Sequence, residues 1–333
     1  MNDDAKTKMY ELMKLVGGST QKAAKYKKQM REYIDGGKFR ETVAPLVEIL
    51  KPEIDRYEKC RLEDTKKETE SKEALYLAHY TGVDTMHSIL VSNETNNKSG
   101  DFLRLYGAFS MNDPSEGLYL RNEFAKEHKW LIDAERNTDA FICSFVSDGP
   151  GIGNRITYWQ SYGMDGLGCS IQVSPHCSLN EHVQPVLYGK EEAKKVEDKF
   201  KNYLALGGEL HKSCSEKEGK DFATAFWKAF DKIKFSHKHD GYVYENEYRM
   251  IKIPDAEEKI EDDFRSKEPY YRRYVLNEDL RANRLLISGT EVFIGPRVRN
   301  KERLRQYFEK LAKKGQLDGV KFTPSRIPYR GGE

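Results

Sequence analysis

The residues best suited to chemistry lie in "YVYENEYRMIKI", positions 242–253. The two-residue alternation of a β-strand sets Glu245, Glu247, Arg249 and Ile251 on one face. Tyr242, Tyr244, Asn246, Tyr248 and Met250 then fall on the other. A guanidinium in that row can hold one carboxylate in place while the second meets a ligand. The same pattern also suits a cross-strand ion-pair ladder on a solvated face.

Three further stretches carry candidates. "LAHYTGVDTMHSIL", residues 77–90, reads as an apolar strand ending in His79, Tyr80 and Thr81. Gly82 then turns the chain into an amphipathic helix that begins near Asp84. A strand-end histidine can donate to a ligand oxygen, or it can be a buried residue bonded to backbone. "RITYWQSYGMDGLGCSIQV", residues 155–173, sets Trp159 and Tyr162 three apart on a short helix before a glycine-rich turn into a strand. Such a pair can stack on a flat ring such as a base or nicotinamide, although core packing is the stronger reading of an isolated pair. The preceding "DGPGIGN", residues 148–154, can cover a site or meet phosphate through its backbone. In "SMNDPSEGLYL", residues 110–120, Asn112 and Asp113 suit an Asx-turn capping a helix near Ser115, with Pro114 at its first position. Glu116 then favours the helix dipole, or supplies one polar group to a pocket corner.

Other clusters are weaker. His237 and His239 lack a third ligand at a metal spacing, so they read as a polar loop. Cys60, Cys143, Cys169, Cys177 and Cys214 form no CxxC pair, which argues against a disulfide framework or zinc ribbon. The basic cluster Lys22, Lys25, Lys27, Lys28 and Arg31 reads as a solvated helix face more readily than as a phosphate site.

The elements that must position these residues fall into two textures. Residues 1–73 read as helical, with Ser19 or Thr20 capping a helix that ends at Gly36-Gly37. A second stretch, from about Thr42 to Ser71, contains Pro45 and Pro52 and is expected to be two helices or a kinked one. Residues 74–333 read as a catalytic domain of short β-like runs. Helical insertions interrupt it near 120–136, 190–235 (broken at Gly207-Gly208) and 300–314. Strands and helices come in blocks, which predicts an α+β fold with a mixed, mainly antiparallel sheet. The 333 residues are 38% hydrophobic, enough for a real core, and the net charge of +2 demands neither nucleic acid nor a membrane. No apolar run approaches the roughly 20 residues of a membrane span, and the acidic start is unlike a signal peptide. A cytoplasmic location is the expectation.

In order, "HYT" before "SIL", "NDPxEG", "WxxYG", "YExEYR" and the closing "TPSRIPYR" resemble a largely bacterial family of unknown-function proteins recurrent among mobile and phage-defence genes. The resemblance covers roughly residues 74–330. The order is also similar to the ADP-ribosyltransferase fold, above all to its DNA- and RNA-modifying members. That resemblance implies NAD as co-substrate, bound by His79 with Tyr80 and Thr81. Tyr106, Tyr158 or Tyr162, beside Trp159, would stack on nicotinamide, and Asn112, Asp113 and Glu116 would shape the pocket. Glu247 or Glu245 would be the catalytic carboxylate, supported by Arg249. It further implies a toxin or defence effector with a nucleic-acid or protein acceptor. The helical N-terminal region lies outside the resemblance and is expected to bind a regulatory protein or control access. Two rivals stand beside it. One is a non-catalytic nucleotide-sensing module. The other is a nuclease whose Mg²⁺ ligands come from Asp113/Glu116 and Glu245/Glu247.

Overall fold

A computed structural model describes residues 2–15, 21–37, 39–70, 77–92, 104–108, 111, 113, 115–135, 140–147, 155–173, 183–254, 261–262, 272–275, 289–315, 317 and 319–329. The chain opens with α1 (Asp3–Leu15), α2 (Gln21–Asp35) and α3 (Phe39–Glu70). β1 (Leu77–Thr81), α4 (Val83–Ser92), β2 (Arg104–Gly107), α5 (Tyr119–Phe124) and β3 (Phe141–Ser147) follow. Next come α6 (Ile156–Ser161), β4 (Cys169–Val173), β5 (Gln184–Pro185) and β6 (Leu187–Tyr188). Three helices succeed them, α7 (Gly189–Ser213), α8 (Glu216–Lys228) and α9 (Asp231–Lys234). The remainder holds β7 (His237–Lys238), β8 (Glu247–Lys252), β9 (Glu261–Asp262), β10 (Arg272–Val275), β11 (Glu291–Ile294), α10 (Lys301–Lys314) and β12 (Lys321–Pro324). The fold is α+β. No helix among the described residues is long and apolar enough to cross a membrane.

Contacts divide the chain into two interleaved units. The first joins residues 1–65, 111–140 and 187–243; the second joins 66–110, 141–186 and 244–333. The boundary expected at 73/74 falls within 71–76, outside the described residues. The expected caps Ser19 and Thr20 lie outside them too.

The first unit is helical around one core. Met9 and Leu12 of α1, Met30 and Ile34 of α2, and Leu46, Leu50 and Ile54 of α3 all contribute to it. So do Leu120 and Phe124 of α5, Val196, Phe200 and Leu204 of α7, and Phe222 and Phe226 of α8. Each set recurs every three or four residues, the stripe that an amphipathic helix buries. That stripe decides α3: a single helix continues through Pro45 and Pro52, so of the two expectations, a pair or one kinked helix, the pair is not what forms. Each proline removes one backbone bond. Val43, Leu46, Leu50 and Ile54, all buried, anchor the segment to the core.

The expected break at Gly207-Gly208 is also absent, because α7 runs through both glycines. Their purpose is close approach. A Cβ on Gly207 would stand 2.8 Å from Trp130 Cζ2, and one on Gly208 3.1 Å from Trp130 Cδ1. The Trp130 ring lies over this notch, stacked on Phe222 at 5.5 Å and edge-on to Phe226 at 5.1 Å between centroids. The real break follows Ser213. There Ser215 accepts from the Glu218 amide and the Glu218 side chain returns to the Ser215 amide, a capping box that starts α8.

The second unit is built on a branched sheet. β3 is its junction: one edge pairs with β8 from Phe141–Lys252 to Val146–Glu247. The other edge takes β2 at Ile142–Tyr106 and Phe141–Gly107, and β1 at Val146–Ala78 and Ser147–Leu77. Beyond β1 the sheet continues through β4 and β11 to β12; beyond β2 it continues through β10 to β9. β11 and β12 are parallel, whereas the β1, β3, β4 and β8 pairings are antiparallel. On one face Leu77, Phe145, Ile171, Val292 and Ile294 pack with Met86 and Leu90 of α4 and Phe308 and Leu311 of α10. On the other, Ala78, Tyr80 and Val146 pack with Tyr158 and Trp159 of α6.

The notch beneath Trp130 yields a direct test. Gly207→Val overfills it, and overpacking of this kind costs about 1–3 kcal/mol despite the better helix propensity of the new residue. Urea unfolding of the purified variant should show that loss.

Candidate active site

β8 begins later than strict alternation over 242–253 suggested. Residues 240–245 form a 3₁₀ turn, and Asn246 takes a left-handed φ of 43° before the strand starts at Glu247. Asparagine tolerates this conformation because its short amide bonds locally. Here Asn246 Nδ2 donates to the Ser147 carbonyl and the Ser147 amide donates to the Asn246 carbonyl, at 2.5 and 3.0 Å. Glu245 is thereby the last residue of a turn and Glu247 the first of a strand.

Each carboxylate has its own holder. Glu247 and Arg249 share a sheet face and are 4% and 0% exposed, which excludes the solvated ladder. Arg249 donates to Glu247 through Nε to Oε1 at 2.8 Å and Nη2 to Oε2 at 3.1 Å, a two-point grip. Glu245 accepts from the Tyr162 hydroxyl. Burial, and then the bonded Glu245, push the Tyr162 phenol far above its ordinary range, so it stays a neutral donor. One helical turn earlier, the Tyr158 hydroxyl donates to the Tyr244 carbonyl at 3.2 Å. Tyr158 and Tyr162 thus brace the end of the 240–245 turn from α6.

Register assigns the faces, because paired residues point the same way. Glu247 opposes Val146, which opposes Ala78; Arg249 opposes Ser144. Tyr80 shares the Ala78 face, and its ring meets Trp159 edge-on at 5.0 Å between centroids. Trp159 and Tyr158 are therefore core wedges, and Tyr162, the partner expected for Trp159, packs partly buried against them. Tyr106 opposes Ile142, on the Glu247 face, and is 38% exposed, which makes it the most accessible of the three stacking candidates. The Oγ atoms of Ser144 and Ser170, also on this face, are buried without a hydrogen-bond partner among the described residues. Nothing in the sequence pattern marked these two serines.

His79 is placed differently. It follows Ala78 by one residue, so its side chain takes the opposite face, where its ring packs at 5.7 Å from Phe145. Its Nδ1 lies 2.9 Å from the Ser144 carbonyl, which only accepts, so the ring proton sits on Nδ1. This is where β1 parts from β3, and the imidazole ties the two strands together. Desolvation lowers the His79 pKa and keeps the ring neutral. Of the two sequence readings of His79, the backbone-bonded one describes its contacts. Thr81 lies on the His79 face by the same alternation, paired with Cys169.

The 110–120 corner belongs to the first unit, whereas Glu245, Glu247 and His79 belong to the second. Asp113 Oδ1 accepts from the Ser115 amide at 2.8 Å and hydroxyl at 2.6 Å, the expected Asx-turn. The helix itself starts at Tyr119, so Glu116 sits in a turn, buried, and not in a first helical turn. Gly117, at φ 70°, is in contact range of Phe235, whose Cε1 would be 2.4 Å from an added Cβ. Asn112 and the 148–154 loop lie outside the described residues. His237 is 1% exposed, with Nδ1 2.8 Å from the Ile233 carbonyl, whereas the exposed His239 pairs with Asp240.

What the site defines is a pair of clamped carboxylates at a turn-to-strand junction of a branched, mixed sheet. Comparison with protein-family models, curated proteins and solved structures finds no match to this chain.

Two outcomes follow. Arg249→Met leaves the Glu247 carboxylate buried without its cation and should cost about 3–5 kcal/mol in chemical denaturation, and a Glu247→Gln/Arg249→Met double variant should recover part of it. For His237, desolvation lowers the folded-state pKa to about 3 from 6.5. The unfolded chain therefore takes up a proton that the folded chain refuses, and this contribution to stability is lost as pH falls below about 6.5 towards 3. His237→Gln should flatten the wild-type decline in unfolding free energy between pH 7 and pH 5.

Proposed function

We propose that the branched-sheet unit is an NAD-dependent enzyme of the ADP-ribosyltransferase type, a toxin or phage-defence effector that modifies nucleic acid or protein. The observation carrying this reading is the pair Glu245 and Glu247, two residues apart at a turn-to-strand junction and held by two different side chains. Nicotinamide departs through an oxocarbenium-like state, so the protein's main tasks are positioning and charge stabilisation. In this reading Glu247, oriented by Arg249, faces the anomeric carbon, and Glu245, on the turn side of the junction, meets the acceptor. Tyr106 offers the aromatic surface, and the unpaired Ser144 hydroxyl offers a bond to a ribose oxygen. His79 keeps β1 against β3 and does not touch the dinucleotide. The acceptor and any regulatory partner of the N-terminal helices belong to the same proposal.

One observation favours a second reading, a ligand-sensing module without turnover. Glu247 is 4% exposed and gripped at two points by the fully buried Arg249, which fixes the carboxylate as a recognition group would require.

Purified protein incubated with labelled NAD and mixed nucleic-acid or protein acceptors should release nicotinamide and transfer label. Glu247→Gln should lower the rate by about 10²–10⁴-fold, the range of a positioned catalytic group, with NAD affinity little changed. Glu245→Gln should reduce transfer to acceptor more than hydrolysis. No detectable NAD binding at millimolar concentration would overturn the enzyme reading, and binding without turnover would replace it by the sensor.

A further inference from the structure

The first unit holds a cluster that none of this uses. Glu127 and His128 close the turn after α5, and Glu197 projects from the third turn of α7 towards them. One ligand atom from each of the three lies within 4.8 Å of the other two. Glu197 is 6% exposed, yet its Oε1 has no hydrogen-bond partner among the described residues. His128 Nε2 stands 3.2 Å from that oxygen without the alignment of a hydrogen bond.

That misaligned close approach is informative. Ligands bonded at about 2.0–2.1 Å in a tetrahedral shell sit about 3.3 Å from each other and point at a shared centre, not at one another. An imidazole nitrogen with two carboxylates is a donor set suited to zinc-like ions. Lys194 marks the place electrostatically. Its ammonium lies 2.8 Å from Glu197 Oε2, 3.4 Å from Glu127 Oε1 and 3.5 Å from Asp198 Oδ1, a cation held by the same carboxylates. Its side chain is 48% exposed, so it can swing out to solvent when another cation arrives. A cavity lined by Glu127, Glu197, Lys190 and Lys194 gives water access to this spot.

We propose that Glu127, His128 and Glu197 bind a divalent transition-metal ion of the zinc type, with Lys194 as the internal cation that it displaces. The ion takes the His128 Nε2 lone pair, the Glu197 Oε1 and a Glu127 oxygen, and leaves a fourth position to water from the cavity. It ties the turn after α5 to α7. Because α5 and α7 both line the helical core, binding should stabilise that unit as a whole. The proposal is independent of the NAD reading, since all its residues lie in the other unit.

Titration of the chelator-treated full chain with Zn²⁺, followed by calorimetry and thermal melting, tests it. One equivalent should bind and raise Tm. Co²⁺ in its place should give the visible absorption of a low-coordinate site. His128→Gln and Glu197→Gln should each weaken binding by more than the about 10- to 100-fold typical of an outer-sphere partner. Lys194→Ala, a surface change that leaves all three ligands in place, should tighten binding several-fold by removing the competing ammonium. Absence of a Zn²⁺-dependent melting shift in the wild type would sink the proposal. So would binding that persists unchanged in the folded His128→Gln and Glu197→Gln variants, since the ion would then be held by other histidines or cysteines.

Discussion

The Arg249 guanidinium has no exposed surface, and much of the second unit is arranged around that fact. A buried charge demands a counter-charge and hydrogen bonds at fixed positions, or the desolvation penalty dominates. Glu247, two residues earlier on the same strand face, supplies both through its two oxygens. The pair can form only if β8 runs straight from Glu247 onward, which requires the chain to turn sharply just before it. Asn246 makes that turn in a left-handed conformation, and the tyrosines of α6 brace the residues leading into it. A single ion pair thereby links the start of a strand, the conformation of a turn and the orientation of a helix.

The branching of the sheet at β3 has a similar economy. A seven-residue strand accepts β8 along one edge and parts of β1 and β2 along the other. Where β1 leaves β3, a backbone carbonyl would face a gap, and His79 reaches it with Nδ1. Buried carbonyls need partners, and a neutral imidazole is an inexpensive one when its other nitrogen can stay unprotonated. The side chain that most resembled a ligand-binding histidine is thus part of the sheet's own bonding.

Much of this was legible in the residue pattern, and the misses share a cause. The strand over 77–81, the helix from 83, the α+β class and the terminal helix from 301 follow from local periodicity, which needs no partner to be read. The Asx-turn at Asp113 was equally visible, being local chemistry. What escaped depended on partners distant in sequence. Pro45 and Pro52 sit in one helix because the stripe around them is buried. Gly207 and Gly208 leave room for Trp130, some 77 residues earlier, and so resemble a break only when Trp130 is ignored. The face that His79 occupies depends on which residues of β3 and β4 it opposes. The same holds for the site: Glu245, Glu247, Arg249 and Tyr162 were identifiable by type, but the one-to-one matching of holder to carboxylate was not. Glu197 and His128 approach each other from 69 positions apart, with no spacing motif to announce them.

The interleaving of the two units bears on the order in which the protein can be made. The core of the first unit needs α1 to α3 from the beginning of the chain and α7 to α9 from residues 189–234. At roughly 5–20 residues per second, the first three helices leave the ribosome roughly 10–35 s before their last packing partners are synthesised. Throughout that interval Met9, Leu12, Met30, Ile34, Leu46 and Leu50 lack the part of their core that α7 to α9 supply. The nascent α1–α3 segment is therefore amphipathic helix whose apolar stripe stays incompletely covered until α7 to α9 are made.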